Sequence, residues 1–296
     1  IQSALDSQLE KFTPVDVNLY KTAYLPESYV SSYSGKTIYN TEEQIEDSRH
    51  PVSYTLETNG YDMNNLKDIV EIPIYAIPEW TMKTSLGDYS EKAMQQFSML
   101  AYDTPETVIK ISDYNKVAAL YGNEQYSLND DEYMVLCDFE QMIDLRNEAL
   151  KQNSNIEING KTYHAKYKEC KDGFVLMSTS NMNAGIILVP DNFEIKKENT
   201  EQYFLAANYN AETEEEKIEL NNVLAGEVDS ELFDNLSEKE INLEGMTKIS
   251  LTEASKGLST IIIFIAIYLG IVFLIASSAI LALKQLTESS DNKQRY

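Results

Sequence analysis

Polar and apolar positions follow two unlike regimes along this chain. Over the first 256 residues they alternate in short segments, whereas from Gly257 to Leu283 no residue is charged, a run of 27. An α-helix rises about 1.5 Å per residue, so roughly 20 residues cross the hydrocarbon of a bilayer. The run is long enough to span with some tilt and too apolar for a surface helix. Ahead of it, Ser250-Leu-Thr-Glu253 has the capping-box pattern, in which a hydroxyl and a carboxylate satisfy the free amides of a helix start. The pattern predicts one helix from about Leu251 to beyond Leu286, with no proline to break it. Residues 250–286 thus read as a stalk and transmembrane helix, with the membrane part at about 258–283. Residues 1–249 read as an extracellular α+β domain, and 287–296 as the start of a cytoplasmic segment.

Within the first 249 residues the periodicity switches repeatedly. Val15 to Tyr20 and Ile69 to Ile77 are β-rich, the second interrupted by Pro73, which suits an edge strand. Thr107 to Ile111 predicts a strand that runs into Ser112 as the N-cap of a helix closing on Gly122. Tyr133 to Cys137 reads as a strand and Phe139 to Lys151 as an amphipathic helix. Asn159-Gly160 between two alternating segments is the signal of a type I′ hairpin. GIILVP (185–190) and YFLAANY (203–209) add two strands. The second leads into ETEEEKIELNNVLAG, whose acidic first turn complements the positive end of a helix dipole. The fold class is therefore α+β. Twenty tyrosines fit this as strand formers with half-buried rings, or as a sticky face.

Charge sharpens the division. Beyond residue 256, Lys284, Lys293 and Arg295 outnumber Glu288 and Asp291 by one, so with −24 for the whole chain the first 256 residues carry a formal charge of −25. So negative a field argues against nucleic acid and anionic lipid as partners; it would attract cationic ligands, but reads first as the solubility of an exposed domain. The slight basic excess after the apolar run favours the tail inside the cell and the large domain outside. Cys137 and Cys170 are candidates for one disulfide in an oxidising exterior, or for two small buried apolar residues. Inside the run, Ala266 and Gly270 form a small-xxx-small pair, and Ser277 with its neighbours continues the small residues. In lipid such a face marks helix–helix contact.

Catalytic signatures are missing from the sequence. Gly35-Lys-Thr37 and Gly160-Lys-Thr162 lack the upstream glycine of a phosphate loop, the positions being Val30 and Asn155. His50 and His164 stand in unrelated contexts, which makes a zinc site or a histidine-based triad improbable. Asn129-Asp-Asp-Glu132 lacks the spaced ligands of a calcium loop and reads as a solvated turn. The expectation is a protein that is not an enzyme and binds no cofactor or metal.

The end of the chain, FLIASSAILALKQLTESSDNKQRY, resembles a membrane helix of FtsX-like ABC-transporter permeases (MacB and Bce types) of Gram-positive bacteria. In that family the helix leaves a large extracellular domain, passes inward and continues as a segment of the type LKQL(S/T)E(S/A)SDNK.RY. IQSALDSQLEKFTPVDVNLY, PETVIKISDYNKVAALYG, GKTYHAKYKECKDGF and GIILVPDN are similar to parts of such ectodomains. The resemblance implies the extracellular domain and one span of a permease subunit. Its implied partners are a cytosolic ABC ATPase subunit, the remaining transmembrane helices, an extracellular peptide or lipid-linked ligand and, in Bce-type members, a sensor histidine kinase. It also implies mechanotransmission, in which ATP hydrolysis elsewhere drives export, removal or sensing of a substrate such as an antimicrobial peptide. The alternative is a single-pass cell-surface receptor or anchored binding protein.

Overall fold

The computed structural model describes residues 9–98, 100–152 and 155–293. The chain divides into two units, residues 1–251 and 252–296. The strands of the first unit are β1 (Val17–Thr22), β2 (Ser28–Val30), β3 (Thr37–Tyr39), β4 (Leu66–Thr81), β5 (Pro105–Lys110), β6 (Glu132–Leu136), β7 (Asn155–Ile158), β8 (Lys161–Ala165), β9 (Ile186–Val189), β10 (Thr200–Tyr209) and β11 (Glu244–Thr247). Its helices are α1 (Glu42–Ser48), α2 (Val52–Thr58), α3 (Met82–Leu86), α4 (Ser90–Gln96), α5 (Ile111–Tyr121), α6 (Glu140–Gln152), α7 (Glu214–Leu224) and α8 (Glu231–Glu238). The α+β class holds.

Among the described residues nine strands form one mixed sheet in the order β11-β1-β10-β4-β5-β9-β6-β8-β7, and β2 and β3 form a separate hairpin. The large sheet is covered on both faces, which is why strands such as YFLAANY read as continuous apolar runs. Phe204 and Ala206 of β10 pack in one cluster with Ile72, Ile109 and the α5 residues Tyr114, Val117 and Tyr121. Their neighbours Leu205 and Ala207 join Val52, Leu56, Leu224 and Leu232 in another. The same alternation splits Ile186 and Leu188 of β9 from Ile187 and Val189.

Pro73 lies in a long inner strand, which corrects the edge reading of 69–77. β4 pairs with β10 over Leu66 to Tyr75 and with β5 only from Tyr75 onward. Pro73 stands opposite Tyr203 of β10, at a point the β5 ladder does not reach. A missing N–H is tolerated where one side of the strand is unpaired. The start of α5 also differs: its first turn begins at Ile111, and the Ser112 amide is held by Asp191 Oδ1 at 3.2 Å instead of Ser112 capping the helix itself. The β7–β8 hairpin turns as expected, with Asn159 at φ 52° and Gly160 at φ 73°. Both central residues of a type I′ turn need that left-handed backbone, and glycine adopts it without steric cost. α7 carries a full capping box between Thr213 and Glu216.

The helix α9 runs Lys248–Lys293, 46 residues and about 70 Å at 1.5 Å per residue. It begins three residues earlier than the capping box suggested. Thr247 is its cap, accepting from the Ser250 amide at 3.1 Å, so Ser250 lies in the first turn and not before it. Side chains at 258–260, 262–263, 266, 275 and 278–293 lie outside the described residues. Taken over the described residues alone, no helix is long and apolar enough to cross a membrane.

Candidate functional site

A groove of about 410 Å³ opens where the end of β1, the β2–β3 hairpin, α1 and residues 240–242 converge. Tyr24 turns the chain out of β1 with a left-handed backbone (φ 52°), and its amide donates to Ser48 O at 3.1 Å. Leu25 N donates to Ser48 Oγ at 3.0 Å, and Asn40 Nδ2 to Pro26 O at 2.6 Å, closing the base of the hairpin. α1 is fixed by a capping box between Thr41 and Gln44, and Gln44 Nε2 reaches across to Glu240 O at 2.8 Å.

The floor of the groove is a buried ion pair. Lys21 is 3% exposed and donates all three ammonium protons: to Asp47 O and Oδ2, both at 2.6 Å, and to Thr55 Oγ1 at 2.5 Å. Thr55 in turn donates to Asp47 Oδ1 at 2.7 Å, so the three side chains form a closed set. Burial pushes the Lys21 ammonium below the usual lysine value, and its bonds to Asp47 oppose that shift. The walls combine apolar surface (Leu25, Pro26, Tyr29, Ile241) with acceptors (Asn40, Gln44). One exposed carboxylate, Glu240, lines the groove.

The hairpin itself is unusual in leaving its apolar side chains in solvent. Tyr29, Val30, Ile38 and Tyr39 are exposed, and Tyr33 is 100% exposed at the turn. Elsewhere the tyrosines are mostly core residues, with Tyr114, Tyr121, Tyr126, Tyr133 and Tyr209 among the buried ones. So the strand-former reading holds for the sheet, and a cluster of exposed rings is confined to one arm. An aromatic arm beside a groove lined by amide side chains and Glu240 can hold a ligand that is partly apolar and carries N–H donors or positive charge.

A second polar cluster surrounds the end of β6. Arg146 of α6 is 3% exposed, forms a bidentate pair with Glu106 of β5, and donates through Nε to Ala184 O at 3.2 Å. A side chain at Gly185 would collide with the guanidinium, so the chain passes close there only because that residue has none. Cys137 and Cys170 sit against this Arg as free thiols, the first buried and the second half-buried. Next to them Asp138, 3% exposed, accepts the Asn183 amide on Oδ1 at 2.7 Å, while its Oδ2 has no partner among the described residues.

Burial holds the Asp138 carboxyl above the usual carboxylate range, with Asp172 adding to the shift and the Asn183 amide opposing it. The native state therefore keeps a proton that the unfolded chain has already lost. Stability from this group is present below the ordinary carboxylate value and is lost as pH rises through the raised one. Asp138→Asn should accordingly raise the urea midpoint over the parent at about pH 7 and give no gain at about pH 3. Equal effects at both pH values would count against a buried charge.

The residues singled out from the sequence are placed as follows. The Ala266 side chain lies outside the described residues. Gly270 has no atom within 4 Å of where a Cβ would stand, and Ser277 is exposed. A spacing of seven residues keeps Gly270 and Ser277 on one helix face. Gly35 and Gly160 both occupy hairpin turns, His50 stacks on Tyr54, and His164 contacts Asn155. Asn129 to Glu132 is a turn, closed by Asn129 N to Glu132 Oε2 at 2.9 Å. Among the described residues no group of three His, Cys, Asp or Glu could hold a metal ion. The groove carried no sequence motif, because its walls come from residues 21–48 and 240–242. No family model, curated protein or solved structure matches the chain.

Proposed function

We propose that the chain is the extracellular domain and one membrane span of an FtsX-like ABC-transporter permease subunit. It couples ATP hydrolysis by a separate cytosolic subunit to export, removal or sensing of an extracellular substrate such as an antimicrobial peptide. The observation that carries this reading is α9: one unbroken helix from Lys248 to Lys293 that contains the 27-residue uncharged run. A helix satisfies its own backbone groups, which hydrocarbon requires of any spanning segment. Its distal part is the segment that resembles the permease family, and both Gly-Lys-Thr triplets run from a hairpin turn into a strand, which fits nucleotide binding on another subunit. The groove and its aromatic arm are the place where an amphipathic, cationic ligand would dock.

Topology tests the reading. In intact cells a membrane-impermeant thiol reagent should label Ser32→Cys, on the exposed hairpin, above the parent background, and should spare Ser290→Cys until the membrane is opened. The reverse pattern, or labelling of both, would overturn it. The second reading, a single-pass receptor, shares this topology and is favoured by the exposed aromatic arm. It separates from the first on solubilisation: a permease subunit co-purifies with an ATP-hydrolysing partner, and a lone receptor does not.

A further inference from the structure

The fold brings Cys137 and Cys170 into one cluster although 32 residues of chain lie between them. Cys137 N donates to Lys171 O at 3.0 Å, Lys171 N donates to Val135 O at 2.9 Å, and Leu136 and Lys171 form a parallel bridge. Partners in such a bridge share one face, and the residues flanking them share the other. Cys137 follows the bridged pair and Cys170 precedes it, so the two are diagonal neighbours with both thiols on the same side. There they join one apolar cluster with Phe139, Met142 and Leu145. Asn147 Oδ1 accepts from Cys170 N at 2.7 Å and fixes the second backbone from α6.

We propose that Cys137 and Cys170 are a reversible dithiol–disulfide pair that, on exchange with a low-molecular-weight disulfide such as oxidised glutathione, clips the segment 166–185 onto β6. That segment carries no helix or extended strand of its own. Beyond the Lys171 bridge it is held to the sheet by bonds such as Met177 N to Asn18 Oδ1 at 2.7 Å, and to α5 by Tyr121 Oη to Val175 O at 2.7 Å. The exchange runs in two steps. Half-buried Cys170, its proton leaving to solvent, attacks one sulfur of the small disulfide, breaks the S–S bond and expels one thiol. Cys137 then attacks Cys170 Sγ in the mixed disulfide and expels the second thiol. Two S–H bonds are lost, one S–S bond forms, and the two electrons reduce the oxidant to two thiols.

The surroundings suit the second step. In the reduced pair the Cys137 thiolate is favoured first by its hydrogen bond with the Cys170 thiol and, against the opposing effect of burial, by the Arg146 guanidinium; once Cys170 is in the mixed disulfide the guanidinium remains. Because the cluster belongs wholly to the first unit, the inference does not depend on membrane topology.

The test uses the full chain, purified reduced and incubated with oxidised glutathione. It is then denatured, alkylated with N-ethylmaleimide and mapped by mass spectrometry without reduction. The expected result is loss of both alkylation sites and a linked pair of peptides carrying residues 137 and 170, reversed by dithiothreitol. Alkylation of both cysteines after oxidation, or glutathione retained on Cys170 beside an alkylated Cys137, would overturn the proposal. In Cys137→Ser the resolving thiol is gone, so Cys170 should keep its glutathione; release as fast as in the parent would overturn it as well.

Discussion

Lys21→Met should destabilise the first unit by about 3–5 kcal/mol, the usual cost of removing one partner from a buried ion pair. Methionine fills much of the volume but carries no charge. It leaves Asp47, 6% exposed, with the Thr55 hydroxyl as its remaining side-chain donor. The damage would spread to the groove, because α1 holds the hairpin through Tyr24 N to Ser48 O and Leu25 N to Ser48 Oγ. Urea unfolding of the full chain should show a lower midpoint, and limited proteolysis should cut between residues 24 and 48 sooner. Removing both charges in Lys21→Met with Asp47→Leu should recover part of the loss, since no unpaired charge then remains. A single-mutant cost under about 1 kcal/mol would mean that water reaches the site and that the groove floor is not sealed.

Arg146→Met should cost a similar amount, about 3–5 kcal/mol, for a different set of neighbours. Glu106 is 5% exposed and would lose both hydrogen bonds to the guanidinium at once. Ala184 O would lose its donor as well, so the chain that passes Arg146 at 184–185 should loosen. Glu106→Gln is the informative companion. It keeps an acceptor for Arg146 but removes the countercharge, and should cost as much as Arg146→Met only if the charge, rather than the hydrogen bonds, dominates. Urea midpoints for the three proteins measure this. Equal stability of the parent and Arg146→Met would remove the pair from any account of the fold.

The elements legible in the sequence were those with a local signal. Asn159-Gly160 dictates its turn, Gly122 ends α5, and the acidic stretch before Ile218 opens α7. Strands buried on both faces were found because they are short apolar runs between turn residues. What failed was anything decided at a distance. Pro73 argues for an edge until the ladder on one side is known to stop short of it. Ser112 looks like a cap until Asp191, from after β9, takes its amide. The β2–β3 hairpin gave no alternation of buried and exposed residues because it buries neither face. α8 could have been read from Ser230 as cap with Leu232 and Leu236 four apart, but at 8 residues it was too short to stand out. The groove was illegible for the same reason as the edge: its walls meet only after folding. The cysteine pair was half legible, as two residues that could bond, while their diagonal placement on one face came from the Leu136–Lys171 bridge.

The passage from β11 to α9 has a mechanical corollary. Thr247 is the last residue of the strand and Lys248 the first of the helix, with nothing between them. Both sides of that peptide bond are anchored: Val17 pairs with Thr247, Lys248 N donates to Asp16 O at 2.9 Å, and Thr247 Oγ1 accepts from Ser250 N. A linker of even a few residues would absorb a twist of the helix by changing its own dihedrals. Here there is no such slack. Torque or pull on the first turn of α9 is delivered directly to the β1–β11 ladder, and a displacement there must either shear its four residue pairs or carry the strand along.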